Sequence, residues 1–297
     1  MGVSVVIVAK RGEKDVYDCI ESIRKQSAKA DEIIVVSQEP VKVKGIKNII
    51  TDTNRSEARN IGWKKARNNI ILFAEADSIF DKDWIKNINK EFKKGSDAVI
   101  DRRAVYKPKT YIQKCGDEFF TLRYSDYKPF CAQAFKKTVL KSANGFDESL
   151  EYAEDTDLGT RVLKKGFKIN LARKAYQFHK GEPKSLTEVM TRSFRFGKEK
   201  ANKYFKEYPK EAPIFDSVLM LLWIALIPLS AATLWSLAAF ITIYVMFYLL
   251  FLLKLIIKEE EYKIKTRYLF GIAMMNQYKW LFTNLGFVYG KIRGAGG

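Results

Sequence analysis

Between Val218 and Ile257 the chain carries one charge, Lys254. The run is twice the ~20 residues that a single helical bilayer crossing needs. A backbone placed in hydrocarbon must satisfy its own polar groups, so the segment is predicted to be helical. Pro228, Ser230, Thr233 and Ser236 lie near its centre and suit a tight turn. The reading is a transmembrane helical hairpin with crossings over 217–234 and 237–257. A buried hairpin in a water-soluble protein would normally show a polar face, and this one shows none. Lys206, Lys210, Lys254, Lys258, Lys263, Lys265 and Arg267 flank its outer ends, while its turn is uncharged. The positive-inside rule therefore puts both flanks, and everything before residue 215, on the cytoplasmic side of the cell membrane. Residues 268–289 are apolar but include Asn276, Gln277, Lys279, Trp280 and Asn284. That mixture favours a helix lying in the membrane interface, with a third crossing as the alternative.

The region before residue 215 has a different character. Val3–Val8 is a continuous β-branched run, the pattern of a buried parallel strand. Strands are expected at 32–36, 70–74 and 98–100, with helices at 15–26, 56–68 and 84–92. This alternation implies βαβ units and a mainly parallel, Rossmann-like α/β sheet. Residues 104–135 are aromatic and take no clear element. Asn144–Asp147 reads as a turn and 154–165 as a helix with an Asp157/Arg161 pair. Residues 168–172 and 176–179 read as two short strands, and 185–208 as a basic amphipathic helix or pair of helices. The expected organisation is a catalytic domain over 1–184, interfacial helices over 185–215, the membrane hairpin over 216–257, and an interfacial or third membrane helix with a tail over 258–297. Lys and Arg number 52 against 34 Asp and Glu, a net charge of +18. An anionic partner follows, whether membrane surface, nucleic acid or diphosphate. Lack of a recognised RNA-binding motif, beside the hairpin, argues against nucleic acid. Three cysteines (Cys19, Cys115, Cys131) without a CxxC pair fit a reducing compartment and no disulfide framework.

Four constellations could carry chemistry. Glu75-Ala76-Asp77 follows a predicted parallel strand, at the edge where such sheets bind ligands. Two carboxylates so placed can hold a hard cation with phosphate oxygens. Glu154-Asp155 opens a helix, where carboxylates also simply satisfy the dipole. His179 is the only histidine, and lone histidines more often pack than ligate. Arg192 and Arg195 lie on a basic helix that could equally touch anionic lipid.

The order of these pieces adds what each lacks. The chain resembles glycosyltransferase family 2, of GT-A fold, over about residues 3–200. The resemblance rests on Val3–Ile7 with the helix around Cys19–Ile23; on Glu32–Val36; on Ala58-Arg59-Asn60-Ile61-Gly62; on Phe73–Asp77; and on Asn144-Gly-Phe-Asp-Glu148 leading to Glu154-Asp-Thr-Asp-Leu-Gly-Thr-Arg161. It implies that Asp77 binds the metal, Mn2+ or Mg2+, with Glu75 standing where the family has the first Asp of its DxD motif. It implies Asp155 as general base supported by Glu154, His179 as a further metal ligand, Arg192 and Arg195 near the diphosphate, and Arg59 near the donor. Lys10 and Gln38 occupy donor-binding stretches where the family carries a Pro-Thr-Tyr-Asn-like turn and paired aspartates, so base recognition is altered.

The expected activity is inverting transfer of a hexose from a UDP- or GDP-linked sugar, GDP-mannose among them, to a hydroxyl of a membrane glycolipid or lipid-linked sugar. A polyprenyl or dolichyl phosphate is the alternative acceptor, as in the related dolichyl-phosphate mannose synthases, and would need no proton removed. A non-catalytic membrane scaffold is the rival of another class. A nucleotidyltransferase would want a glycine-rich phosphate loop early in the chain, and Ala9–Lys14 offers only Gly12. A polymer-exporting synthase would want more crossings.

Overall fold

The computed structural model describes residues 2–202 apart from 11–13, 126–131 and 151, then scattered positions between 213 and 257, and 264–294. It divides into two compact units, 1–107 with 126–181, and 108–125 with 182–297.

The first unit is built on an eight-stranded sheet. Its strands are β1 (Val3–Ala9), β2 (Glu32–Ser37), β3 (Lys47–Ile50), β4 (Ile70–Glu75), β5 (Ser78–Phe80), β6 (Ala98–Val105), β7 (Ala134–Lys136) and β8 (Ile169–His179), in the order β3-β2-β1-β4-β7-β6-β8-β5. Strands β3, β2, β1 and β4 are parallel neighbours; β7 runs against β4 and β6, and β5 against β8. The mainly parallel α/β sheet expected from the sequence is present. Its helices are α1 (Lys14–Arg24), α2 (Arg55–Lys65), α3 (Trp84–Lys93), α5 (Lys137–Ser142) and α6 (Glu154–Lys164), while α4 (Tyr111–Ser125) falls in the second unit.

Local chemistry explains the main departures from the sequence reading. The two short strands expected at 168–172 and 176–179 are one strand, β8, and the strand expected at 98–100 extends to Val105. Their ladder carries an irregularity: Ile100 pairs with Leu171 but Arg102 with Tyr176. The bulge breaks the alternation and splits one strand into two in the sequence. Helix α2 stops at Lys65, three residues before the expected end, because Ala66 is extended at φ −70, ψ 139.

The core lies on the strand faces. Val16, Cys19, Ile20 and Ile23 form the buried stripe of α1, against Val5, Ile7 and Val35 of the sheet. Gly62 of α2 lets that helix approach β1, since a Cβ there would sit 2.3 Å from Val6 Cγ1.

In the second unit, α7 (Leu186–Asn202) packs on α8 (Leu269–Gly294) at backbone contact. A Cβ on Gly197 would lie 1.9 Å from the Thr283 carbonyl oxygen, and one on Gly286 would lie 2.0 Å from that of Phe194. Such small-residue seams permit close helix approach. Cys115 and Leu122 of α4 join Val189, Ile272, Ala273 and Met275 in a separate apolar cluster.

Helix α8 covers the stretch expected to be interfacial or a third crossing. Among the described residues no helix is long and apolar enough to cross a membrane. The transmembrane hairpin falls largely on residues outside the described set, its turn (223–237) entirely so. The described positions between 214 and 257 are helical, and many are exposed and apolar, Leu222, Leu250 and Ile257 among them.

Candidate functional site

The site is assembled where β4 and β8 end and β5 begins. Glu75 is the last residue of β4, Asp77 precedes β5, and His179 ends β8. The β5–β8 ladder pairs Ser78 with His179, which brings the histidine beside both acids. His179 Nε2 lies 3.0 Å from Glu75 Oε2 and 3.0 Å from Asp77 Oδ1. Among the described residues these three form a group whose ligand atoms lie within 4.8 Å of one another. Two carboxylate oxygens and an imidazole nitrogen suit Mn2+ or Mg2+. The chain also makes room for them, because a Cβ on Gly181 would come within 2.6 Å of Asp77 Oδ2. The donor set therefore fits a divalent cation.

The charges of the cluster are mutually adjusted. Burial alone would raise the Glu75 carboxyl, yet the His179 hydrogen bond and the nearby Arg103 and Arg59 hold it well below the usual carboxylate range. Asp77 is lowered against the same burial by His179. Burial would lower His179, but its bonds to Asp77 and Glu75 raise it. Arg103 Nη1 lies 3.5 Å from Glu75 Oε2.

The second half of the site is the start of α6. Glu154 is buried, and Arg59 Nη1 donates to its Oε1 at 2.6 Å. Arg55 Nη1 lies 3.6 Å from the same oxygen. Burial works against the charge of Arg55, but Glu154, Glu75 and Asp155 together raise its pKa. Arg55 thus lies within electrostatic reach of both acidic groups. Asp155 is half-buried, and its Oδ1 accepts from the Thr156 N–H at 2.7 Å. The residue before this pair, Ala153, adopts φ 62, ψ 18. For a non-glycine residue this conformation costs about 1 kcal/mol or more, and such strain concentrates at functional sites.

The segment that leads to this turn is tied to α2. Asn60 Nδ2 donates to the Phe146 carbonyl at 2.8 Å, and its Oδ1 accepts from the Phe146 N–H and from Trp63 Nε1, each at 2.9 Å. Ser56 Oγ donates to the Leu150 carbonyl at 2.6 Å. Asn144 and Gly145 take φ 60 and φ 66 in succession, completing the expected turn. The expected Asp157–Arg161 pair is present at 2.5 Å, and Arg161 also donates to the Gly145 carbonyl at 2.8 Å.

The remaining expected residues fall elsewhere. Lys10 follows β1, and its carbonyl accepts from the Gln38 N–H at 3.3 Å. Gln38 Nε2 donates to Asp52 Oδ1 at 2.5 Å. Arg192 and Arg195 lie on α7 in the second unit, where Arg192 Nη1 is 3.6 Å from Glu182 Oε2. The sequence reading missed Arg55, Arg103 and Asp52. Arg55 had a signal, since a cation in the first turn of a helix opposes the helix dipole and needs a partner. Arg103 and Asp52 had none.

Residues 4–143 match the family model for Glycosyl transferase family 2, and residues 131–285 match that for Glycosyl transferase family 21. The chain belongs to Glycosyl transferase family 21, whose model covers more than half of it, and its first half matches the family 2 model. No curated protein matches it. Among solved structures it is similar to Staphylococcus aureus TarS. It covers 39% of that whole chain at 16% identity, with 65% of this chain matched and a TM-score of 0.46. The chain thus spans well under half the length of that relative. Residues 1–349 of TarS in complex with UDP align at 18% identity over 74% of this chain and 70% of that one, with a TM-score of 0.47.

Proposed function

We propose that the chain is an integral-membrane, inverting glycosyltransferase with its catalytic unit in the cytoplasm. It moves a hexose from a UDP- or GDP-linked sugar to a hydroxyl of a membrane glycolipid or lipid-linked sugar. The observation that carries this reading is the Glu75–Asp77–His179 cluster at the sheet edge. A divalent cation bound there supplies Lewis-acid neutralisation of the leaving diphosphate. Glu75, Asp77 and His179 would hold it.

The chain's own residues supply the rest. Asp155 takes the acceptor's hydroxyl proton as the bond from the anomeric carbon to the acceptor oxygen forms and the bond to the diphosphate oxygen breaks. Glu154, fixed by Arg59 and Arg55, orients the turn that presents Asp155. Arg192 and Arg195 are assigned to the diphosphate by the resemblance alone. The membrane reading is supported by the low charge of 218–257 and by the exposed apolar side chains among its described residues, Leu222, Leu250 and Ile257 included.

The test uses the full chain in detergent or nanodiscs. UDP- and GDP-sugars are screened with Mn2+ for release of the nucleoside diphosphate and for thermal shift. Asp155→Asn is expected to abolish transfer and spare donor binding. Near-normal transfer by that variant would remove the base and favour a polyprenyl-phosphate acceptor, which is already anionic. No shift with any nucleotide would favour a non-catalytic scaffold.

A further inference from the structure

Lys180 follows His179 directly, and its ammonium is held by two carboxylates. Its Nζ donates to Asp15 Oδ1 at 2.8 Å and to Asp18 Oδ2 at 2.6 Å, both on α1. The lysine side chain is 17% exposed, unlike its partners at 45% and 42%. Lysines this covered are uncommon unless paired. The Lys180 N–H also donates to the Asp77 carbonyl at 2.9 Å. One residue therefore touches the backbone of one ligand, is bonded covalently to another, and is anchored through its side chain to a helix.

The same helix reaches the third ligand. Cys19, next to Asp18, donates its Sγ–H to the Glu75 carbonyl at 3.5 Å. Helix α1 thus contacts the backbone at Glu75 directly, and that at Asp77 and His179 through Lys180. Beyond Lys180 the chain passes close over the cluster at Gly181, whose Cβ position lies 3.0 Å from His179 Cε1. A shift of the 179–181 segment would move a ligand nitrogen relative to two carboxylates that come from a different strand end.

An exposed ion pair would deserve little weight, since such pairs contribute ~0–1 kcal/mol. Lys180 differs in being largely covered and in bridging two acids. Both acids hold its ammonium, so its role is support of the ligands rather than contact with a substrate.

We propose that Lys180, clamped by Asp15 and Asp18, is a positioning residue that fixes the ligand-bearing end of the β5–β8 ladder on α1 and thereby sets the site's affinity for a divalent cation. The inference rests on the cation reading given under Proposed function. Partners that orient metal ligands typically change metal affinity ~10–100-fold when removed.

The test is Mn2+ binding to the full chain, with and without UDP, read from the electron paramagnetic resonance signal of free Mn2+. Lys180→Met and Asp15→Asn/Asp18→Asn are each expected to weaken binding ~10-fold or more, and Lys180→Arg to restore most of it. Asp77→Ala serves as the ligand control and is expected to bind none. The paired Asn variant changes only half-exposed side chains, so it keeps the fold if Lys180→Met does not. Both clamp variants binding within about twofold of the unaltered chain, while Asp77→Ala fails to bind, overturns the clamp and leaves the cation site standing. Absence of Mn2+ binding by the unaltered chain overturns the cation reading and the clamp with it.

Discussion

Replacing Arg59 by Met should destabilise the catalytic unit, because its guanidinium neutralises a buried acid. Arg59 and Glu154 are 7% and 5% exposed and 2.6 Å apart. Removing one partner of a buried pair costs about 3–5 kcal/mol, since the other charge is left without compensation. Here Arg55 stays 3.6 Å from Glu154 with a side chain 58% exposed, and an exposed partner of that kind recovers at most ~1 kcal/mol. The stacking of Arg59 over the Phe146 ring, 5.3 Å from its centroid, is lost as well. The net expectation is about 3 kcal/mol, or a drop in Tm of ~6–12 °C for a unit of this size. Thermal unfolding of the full chain, followed by circular dichroism, reads the shift. The pair Arg59→Met/Glu154→Gln, which removes both charges, should recover at least half of the loss. If Arg59→Met left Tm unchanged and raised only the KM for the donor, Arg59 would be a substrate contact and the account of Glu154 would be wrong.

Other perturbations bear on separate parts of the structure. Asp101 is fully buried, accepts from Trp84 Nε1 at 2.8 Å and Gln177 Nε2 at 2.9 Å, and burial raises its pKa to about 7. An acid raised in the folded state stabilises the fold while protonated and loses that contribution as pH rises from its unfolded value of 3.8 through about 7. Asp101→Asn should flatten the fall in Tm between pH 5 and pH 8; an unchanged slope would show that Asp101 does not titrate there. Gly197→Leu should break the α7–α8 contact, because its Cβ position lies 1.9 Å from the Thr283 carbonyl oxygen and backbone cannot yield cheaply. Limited proteolysis should then cut within 186–202 at protease levels the unaltered chain withstands, and equal resistance would refute the close packing.

Long or strongly patterned elements were legible from the sequence. The β-branched runs of β1, β2 and β4 and the buried stripe of α1 need nothing beyond periodicity. Strands β5 and β7, three residues each, are too short to show a period, and β3 is an edge strand whose Lys47–Ile50 alternates weakly. The bulge opposite Asp101 hid the continuity of β8. The site was legible as a set of residue types, but what joins it was not. Glu75 and Asp77 are a residue apart, whereas His179 reaches them only through the β5–β8 ladder, and β5 was missed. Only the order of motifs pointed to the histidine. Lys180 and Arg103 carry no signal in the sequence, because nothing in a linear sequence shows that Asp15, Asp18 and Glu75 face them.

The central claim is that Glu75, Asp77 and His179 form a cation site that drives sugar transfer. The most direct test is Mn2+-dependent release of nucleoside diphosphate from a nucleotide sugar by the full chain, compared with Asp77→Ala and His179→Ala. The account predicts release that requires added Mn2+ and falls ~100-fold or more in both variants. Release that persists in the presence of EDTA and is unchanged in both variants would contradict it.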